Sequence, residues 1–322
     1  MIKKLLCLPL CLLCWFGACA QSHSNEIGIE TDDDSYLAQG SDRYYTAGTF
    51  IYFRHALKPE AGSKLQNKVL GFEIGQKLYT PQTADINVTG FDDPRYIDRP
   101  FAGYLYAGAT LNLLYKDESN LKLGAQIGVV GPSALGKETQ QTIHDLFGLY
   151  HPGGWEYQID NDAELNLSAA YNRLLLRDSW IDLSASGYAN LGNGFTGLGV
   201  GPLLRLGDFN QLFNSESTQS TAIVSQDFTP LNSHEFFFYF QPMANIVGYD
   251  ATVQGSMFNK RSASSIEITG TPKRFVLSNQ LGIAYSGKRF VIDFAVVFHS
   301  NDVKTQVNTE QWGNLTLLYR FH

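Results

Sequence analysis

The sequence predicts an all-β protein: an antiparallel transmembrane β-barrel of about twelve strands, with a short helical segment in one extracellular loop. Three observations predict it. The N-terminus is built like an export signal. After residue 20 no stretch reaches the roughly 18 consecutive apolar residues of a membrane helix. Apolar and polar residues alternate with period two over segments of roughly ten residues, the length of a tilted membrane strand.

The export signal comes first. Lys3 and Lys4 form the charged start, Leu5 to Phe16 the apolar core, and Ala18-Cys19-Ala20 fits an A-x-A cleavage site before Gln21. "FGAC" also loosely resembles a lipobox, so a lipoprotein reading through Cys19 stands beside ordinary cleavage. The expected division is 1–20 signal peptide and 21–322 barrel domain. All four cysteines (Cys7, Cys11, Cys14, Cys19) lie in the signal. That excludes a disulfide framework, thiol chemistry and Cys-ligated zinc from the mature chain. Lys+Arg 24 against Asp+Glu 31 argues against a nucleic-acid surface, which needs a basic patch. Gly 30, Tyr 17 and Phe 21 favour strands over a helical bundle.

The strands are expected near 26–33, 45–57, 68–79, 101–115, 120–131, 157–175, 179–191, 195–207, 234–248, 273–286, 288–300 and 312–321. In "NLKLGAQIGVV", Leu121, Leu123, Ala125, Ile127 and Val129 oppose Lys122 and Gln126. "AELNLSAAYN" and "WIDLSASGYANL" alternate likewise, and "KRFVIDFAVVFHS" sets Phe290, Ile292, Phe294, Val296 and Phe298 against Arg289, Asp293 and His299. A soluble sandwich alternates too. The barrel is favoured by small and charged residues on the polar side, by Tyr and Phe at segment ends, and by the closing segment "WGNLTLLYRFH". Links after odd strands are mostly long and links after even strands mostly short, the asymmetry expected of outside against periplasm. The long Ser/Thr-rich link 208–233 breaks that rule and has no account in the sequence.

Three stretches gather at the outer rim in this topology. "ETDDDSY" carries Asp32, Asp33 and Asp34 in succession. Successive residues at a strand end point to opposite faces, so at least one carboxylate faces the lumen or another residue. A solvated loop is the ordinary fate of such a run, and a hard cation such as calcium is the alternative. "SDRYYTAG" opens the second strand, and "KETQQTIHDLFG" sits between strands five and six. There Gln140 and His144 are four apart and share a helix face. His144 is either a surface histidine or a general base with Gln140 beside it; His151, in a Pro/Gly-rich turn, is the weaker candidate. Gly-x-Ser-x-Gly, His-Glu-x-x-His and phosphate-binding glycine loops are absent.

The segments "DDDSYLAQGSDRYYTAG", "YTP…DRPFAGYLY", "GP…G…TQQTIHDLFG" and "PGGWEYQI" occur in the order and spacing of the outer-membrane lipid A 3′-O-deacylase family, which the chain resembles. The resemblance covers nearly the whole mature chain through strand six. It implies a twelve-stranded outer-membrane barrel, a monomer, that uses Ca2+ to hydrolyse the ester-linked 3′ acyloxyacyl chain of lipid A in lipopolysaccharide. It implies His144 as the base that activates water and Gln140 as its neighbour. Asp34, with Asp33 beside it, would supply calcium carboxylates, and Thr46 would hold the oxyanion or the metal shell. Asp42, Arg43 and Arg99 would hold the rim together, the two arginines alternatively meeting lipid A phosphates. Two departures stand out: Asp33-Asp34 where the family commonly has Asn-Asp, and "QTADIN" where some members place basic residues. The resemblance and the topology together set the helical turn over the barrel mouth, above a lumen-facing site near Asp33, Asp34 and Thr46. A channel or adhesin barrel, or an outer-membrane phospholipase, are the competing functions.

Overall fold

The computed structural model describes residues 23–37, 42–82, 94–150, 152–224 and 227–322; the signal segment, His151 and most of "QTADIN" lie outside them. Twelve antiparallel strands close into one barrel. They are β1 (Asn25–Asp33), β2 (Tyr44–Ala56), β3 (Leu65–Thr80), β4 (Ala102–Tyr115), β5 (Ser119–Val130), β6 (Asp162–Arg177), β7 (Ile181–Gly192), β8 (Phe195–Asp208), β9 (Glu235–Asp250), β10 (Phe275–Ser286), β11 (Phe290–His299) and β12 (Glu310–Phe321). Each pairs with its sequence neighbour, and β1 closes on β12 from Asn25↔Phe321 to Asp33↔Gly313. The largest shift from the expected bounds is at β6, which starts at Asp162 because Trp155–Tyr157 forms a 3-10 turn first.

Polarity is inside out. Ile27, Ile29, Ile51, Phe72, Ile74, Ile127, Leu165, Phe236 and Phe294 are exposed on the outer wall, while Glu26, Arg54, Asn112, Asp182, Arg205 and Glu235 are buried within. A sandwich buries its apolar face; this pattern is that of a wall in lipid around a polar interior. Among the described residues no helix is long and apolar enough to cross a membrane.

The side on which each residue points follows from strand parity. Asp32, Tyr45, Lys77, Tyr79, Tyr104 and Tyr106 line a lumenal cavity of about 600 Å³. On β3 the intervening residues, Phe72, Ile74, Gln76, Leu78 and Thr80, therefore face outward. On β4, Gly103 does so, and on β1, Asp33.

The link that broke the length rule fills the inner end of the barrel. Residues 209–224 fold back into the lumen, where Phe209, Leu212, Ser215, Glu216, Thr218 and Ser220 are buried. Asn67 Nδ2 lies within 3.3 Å of the carbonyls of Phe213, Ser220 and Ala222, and Asn112 Nδ2 donates to Thr218 O at 2.8 Å. Arg205, itself fully buried, pairs with Asp182 at 2.5 Å and donates to Ser215 Oγ at 2.8 Å. Glu235 accepts from the backbone N–H groups of Asn210 and Glu216. Polar side chains that a channel would hydrate are satisfied instead by a segment of the same chain.

Candidate active site

The helical segment in the third outer link is real. It is α1 (Gly136–Phe147), closed by Gly148 in the left-handed region at φ 67. Glycine is the residue that takes that conformation without strain. The helix does not lie over the lumen. Gln76 Nε2 donates to Ala134 O at 2.6 Å, and Gln76 is an outward residue of β3. A Cβ on the outward-facing Gly103 would meet Gly136 N at 3.1 Å. The start of α1 thus rests against the outer wall at the ends of β3 and β4, and glycines on both sides permit that approach. Trp155 stacks beside it, packed with Leu78, Ile97 and Phe101. The expected lumen-facing site is corrected accordingly: the site lies between the helix and the outside of the barrel. The lumen receives Asp32, whose carboxylate accepts from Tyr45 Oη at 2.6 Å.

Gln140 and His144 are the buried face of α1, each 3% exposed. Trp155 Nε1 donates to Gln140 Oε1 at 2.7 Å, which fixes the amide so that its Nε2 donates to Asp42 Oδ2 at 2.9 Å. His144 Nε2 lies 2.7 Å from the same oxygen, and Tyr150 Oη donates to it at 2.8 Å. Three groups thus converge on one carboxylate oxygen. His144 Nδ1 is 2.6 Å from Tyr150 O. A carbonyl only accepts, so Nδ1 carries its hydrogen, and Nε2 is the nitrogen turned to Asp42. Tyr150 packs edge-on against the imidazole, centroids 4.7 Å apart.

From the sequence Asp42 reads as a residue that holds the rim together; in the structure it is the partner of His144. Its signal was only that it stands next to Arg43 in a polar turn; nothing in the spacing ties it to a histidine 102 positions on.

Asp34 begins a 3-10 turn, Asp34–Leu37, and its Oδ2 accepts from Arg43 N at 2.9 Å. That bond draws Asp42 towards Asp33 and Asp34. Burial pushes the Asp34 carboxyl up to about 8, and the nearby Asp42 and Asp33 charges push the same way against the Arg43 N–H. Asp33 Oδ1 accepts from Ser35 N at 2.7 Å. Among the described residues no group of three or more His, Cys, Asp or Glu is arranged to hold a metal ion. The donors are nonetheless hard carboxylate oxygens crowded together near Arg43, which suits a calcium-like ion completed by water or substrate oxygens.

The remaining expected residues are placed as follows. Thr46 is buried on the outward side with its hydroxyl 2.6 Å from that of Thr80; its hydrogen bond goes there and not to the His144–Asp42 pair. Arg43 contributes its backbone N–H to Asp34. Arg99 is fully buried, 4.0 Å over the Tyr79 ring, with its guanidinium on Pro100 O, Thr252 Oγ1 and Asp302 Oδ2. It sits within the rim and not on a surface that meets headgroups.

A family model described as "Outer membrane protein LpxR" matches residues 6–321 of this chain. Among solved structures, LpxR from Salmonella typhimurium aligns with a TM-score of 0.72 at 21% identity, over 92% of this chain and 100% of that one. The β domain of the Bordetella autotransporter BrkA aligns at 0.45 with 8% identity, over 94% and 99%. The translocator domain of NalP from Neisseria meningitidis aligns at 0.43 with 11%, over 94% and 90%. No curated protein sequence matches the chain.

Proposed function

This chain belongs to the LpxR family of outer-membrane proteins, and from that premise we propose that it is a calcium-dependent lipid A 3′-O-deacylase. The observation that carries the reading is where the His144–Asp42 pair lies. It stands on the outer wall at the end of β3 and β4, under a helix, on the side from which an outer-leaflet lipid approaches. A channel or adhesin needs no such pair, and the filled inner mouth argues further against a conducting pore.

The chemistry is ester hydrolysis by activated water. The Nε2–Asp42 contact opens to admit a water, whose oxygen attacks the ester carbonyl carbon while its proton passes to His144 Nε2. Tyr150 O, bonded to Nδ1, orients the ring, and Asp42, held by Gln140 and Tyr150 Oη, balances the imidazolium. The intermediate then expels the sugar 3′ oxygen, which takes the proton and leaves as a hydroxyl, and the acyloxyacyl chain departs as a carboxylic acid. Asp33 and Asp34 would hold the calcium ion, which supplies a fixed positive charge for the developing oxyanion. Arg43, beside Asp34, would meet a headgroup phosphate.

Mass spectrometry of lipid A from Gram-negative cells expressing the chain tests this. Loss of the 3′ acyloxyacyl group is expected in wild type with calcium, and not with calcium chelated or in His144→Ala. Unchanged lipid A beside a folded wild-type barrel would sink the reading.

A further inference from the structure

The helix α1 has three faces, and the site uses one. Gly136, Gln140 and His144 point inward. Glu138, Gln141, Thr142 and Asp145 form a polar flank. Ile143, Leu146 and Phe147, spaced i, i+3, i+4, form an apolar flank that is 39%, 77% and 70% exposed; Leu149, just past the helix, is 52% exposed. A loop helix surrounded by water has no use for three large apolar side chains in a stripe.

Its position gives the stripe a partner. The start of α1 touches the outward residues Gln76 and Gly103. The next outward residues down β3 are Ile74 and Phe72, 59% and 49% exposed. At the strand rise of about 3.3 Å per residue they lie about 7 and 13 Å below the contact. Two strands along, Ile127 of β5 is 66% exposed, and Leu165 and Leu167 of β6 are 57% and 52% exposed. The apolar belt of the barrel therefore rises to the foot of the helix that carries the flank.

We infer that the Ile143–Leu146–Phe147 flank docks in the acyl region of the outer leaflet. It makes α1 an interfacial helix, with its apolar side in lipid and its polar flank in the headgroups. The ester-bearing lipid then meets the inner face of α1 without leaving the bilayer. This surface needs only a barrel in a membrane, and it stands whether or not the site is a deacylase.

The chain has no cysteine after Cys19, so single-cysteine variants of the chain from Gln21 onward take one label each. Leu146→Cys and Phe147→Cys on the apolar flank, and Glu138→Cys and Gln141→Cys on the polar one, would carry an environment-sensitive fluorophore. Each would be folded into phospholipid vesicles and checked by the heat-dependent gel shift of an intact barrel. Brominated acyl chains are expected to quench positions 146 and 147 at least about twofold more than 138 and 141, and aqueous iodide to show the reverse order. Equal iodide quenching on both flanks would overturn the docking. So would bromolipid quenching that shows only after lipid A is added, since the flank would then belong to the substrate and not to the bilayer. Repeating the set in His144→Ala keeps the result independent of the enzymatic reading, because docking does not need the base.

Discussion

Two long polar links stand at the two ends of this barrel, and they are built in opposite ways. The inner one, 209–224, enters the lumen, where side chains from the strands and from the β4–β5 turn hold its backbone: Asn67, Asn112, Glu118, Arg205, Glu235 and Arg320 each bond to it. The outer one, carrying α1, stays on the outside of the wall and is organised around a single oxygen of Asp42. The first spreads its contacts over the barrel and presents nothing; the second concentrates three groups on one atom and leaves the rest of the helix exposed. Stability should therefore reside in one link and chemistry in the other.

The largest test of that division is a pair of substitutions. His144→Ala should lower deacylation by roughly two to four orders of magnitude, the usual worth of a positioned general base, with an unchanged unfolding midpoint in urea. Arg205→Ala should do the reverse. It strips a fully buried guanidinium from Asp182 and from its stacking on Phe209, 4.7 Å away, which should cost roughly 1.5–3 kcal/mol, since Asp182 keeps Arg177 at 2.9 Å and is not left unpaired. Activity per folded molecule should not change. If Arg205→Ala abolished activity in correctly folded barrels, the two ends would be coupled and the division wrong.

A smaller effect is expected where helix meets wall. Gly103→Val places a side chain where a Cβ already meets Gly136 N at 3.1 Å, so α1 must lift. A displacement of about 1 Å at a reacting centre costs up to about a hundredfold in rate. The expected outcome is a ten- to hundredfold loss of deacylation with the barrel midpoint within about 0.5 kcal/mol of wild type, since the strand ladder is untouched. An active Gly103→Val would mean that the helix does not need this wall contact to hold His144.

How far these two regions could be read from the sequence differs for a physical reason. Period-two alternation marks a wall with lipid on one side, so all twelve strands were legible, most within about three residues. Gln140 and His144 were legible because an i, i+4 pair is a local pattern. Asp42 was not, because its meeting with His144 depends on where two distant links land. The side of the wall was missed for the same reason: that α1 lies outside is set by Gly103 and Gly136, two small residues whose meaning is only that something comes close. The plug was opaque because Ser, Thr, Asn and Glu read as solvated until lumenal donors and acceptors are placed around them. Asp33 and Asp34 sit between these cases, their crowding visible in sequence and their charge balance not.

The smallest expected effect belongs to the plug. An amide NH2 has two hydrogens, yet Asn67 Nδ2 lies within 3.3 Å of three carbonyls, those of Phe213, Ser220 and Ala222. It is thus a shared tie between the start and the end of the plug, and not a set of full bonds. Asn67→Ala removes the tie and leaves those carbonyls in a buried place, which should cost about 1–3 kcal/mol. Because many other side chains hold the same segment, the barrel should stay closed. The loss should appear locally, as faster amide hydrogen exchange across 211–223 with exchange in α1 unchanged. Exchange that rose equally at α1 would show that the outer link leans on the inner one, and that the two ends of the barrel are one cooperative unit.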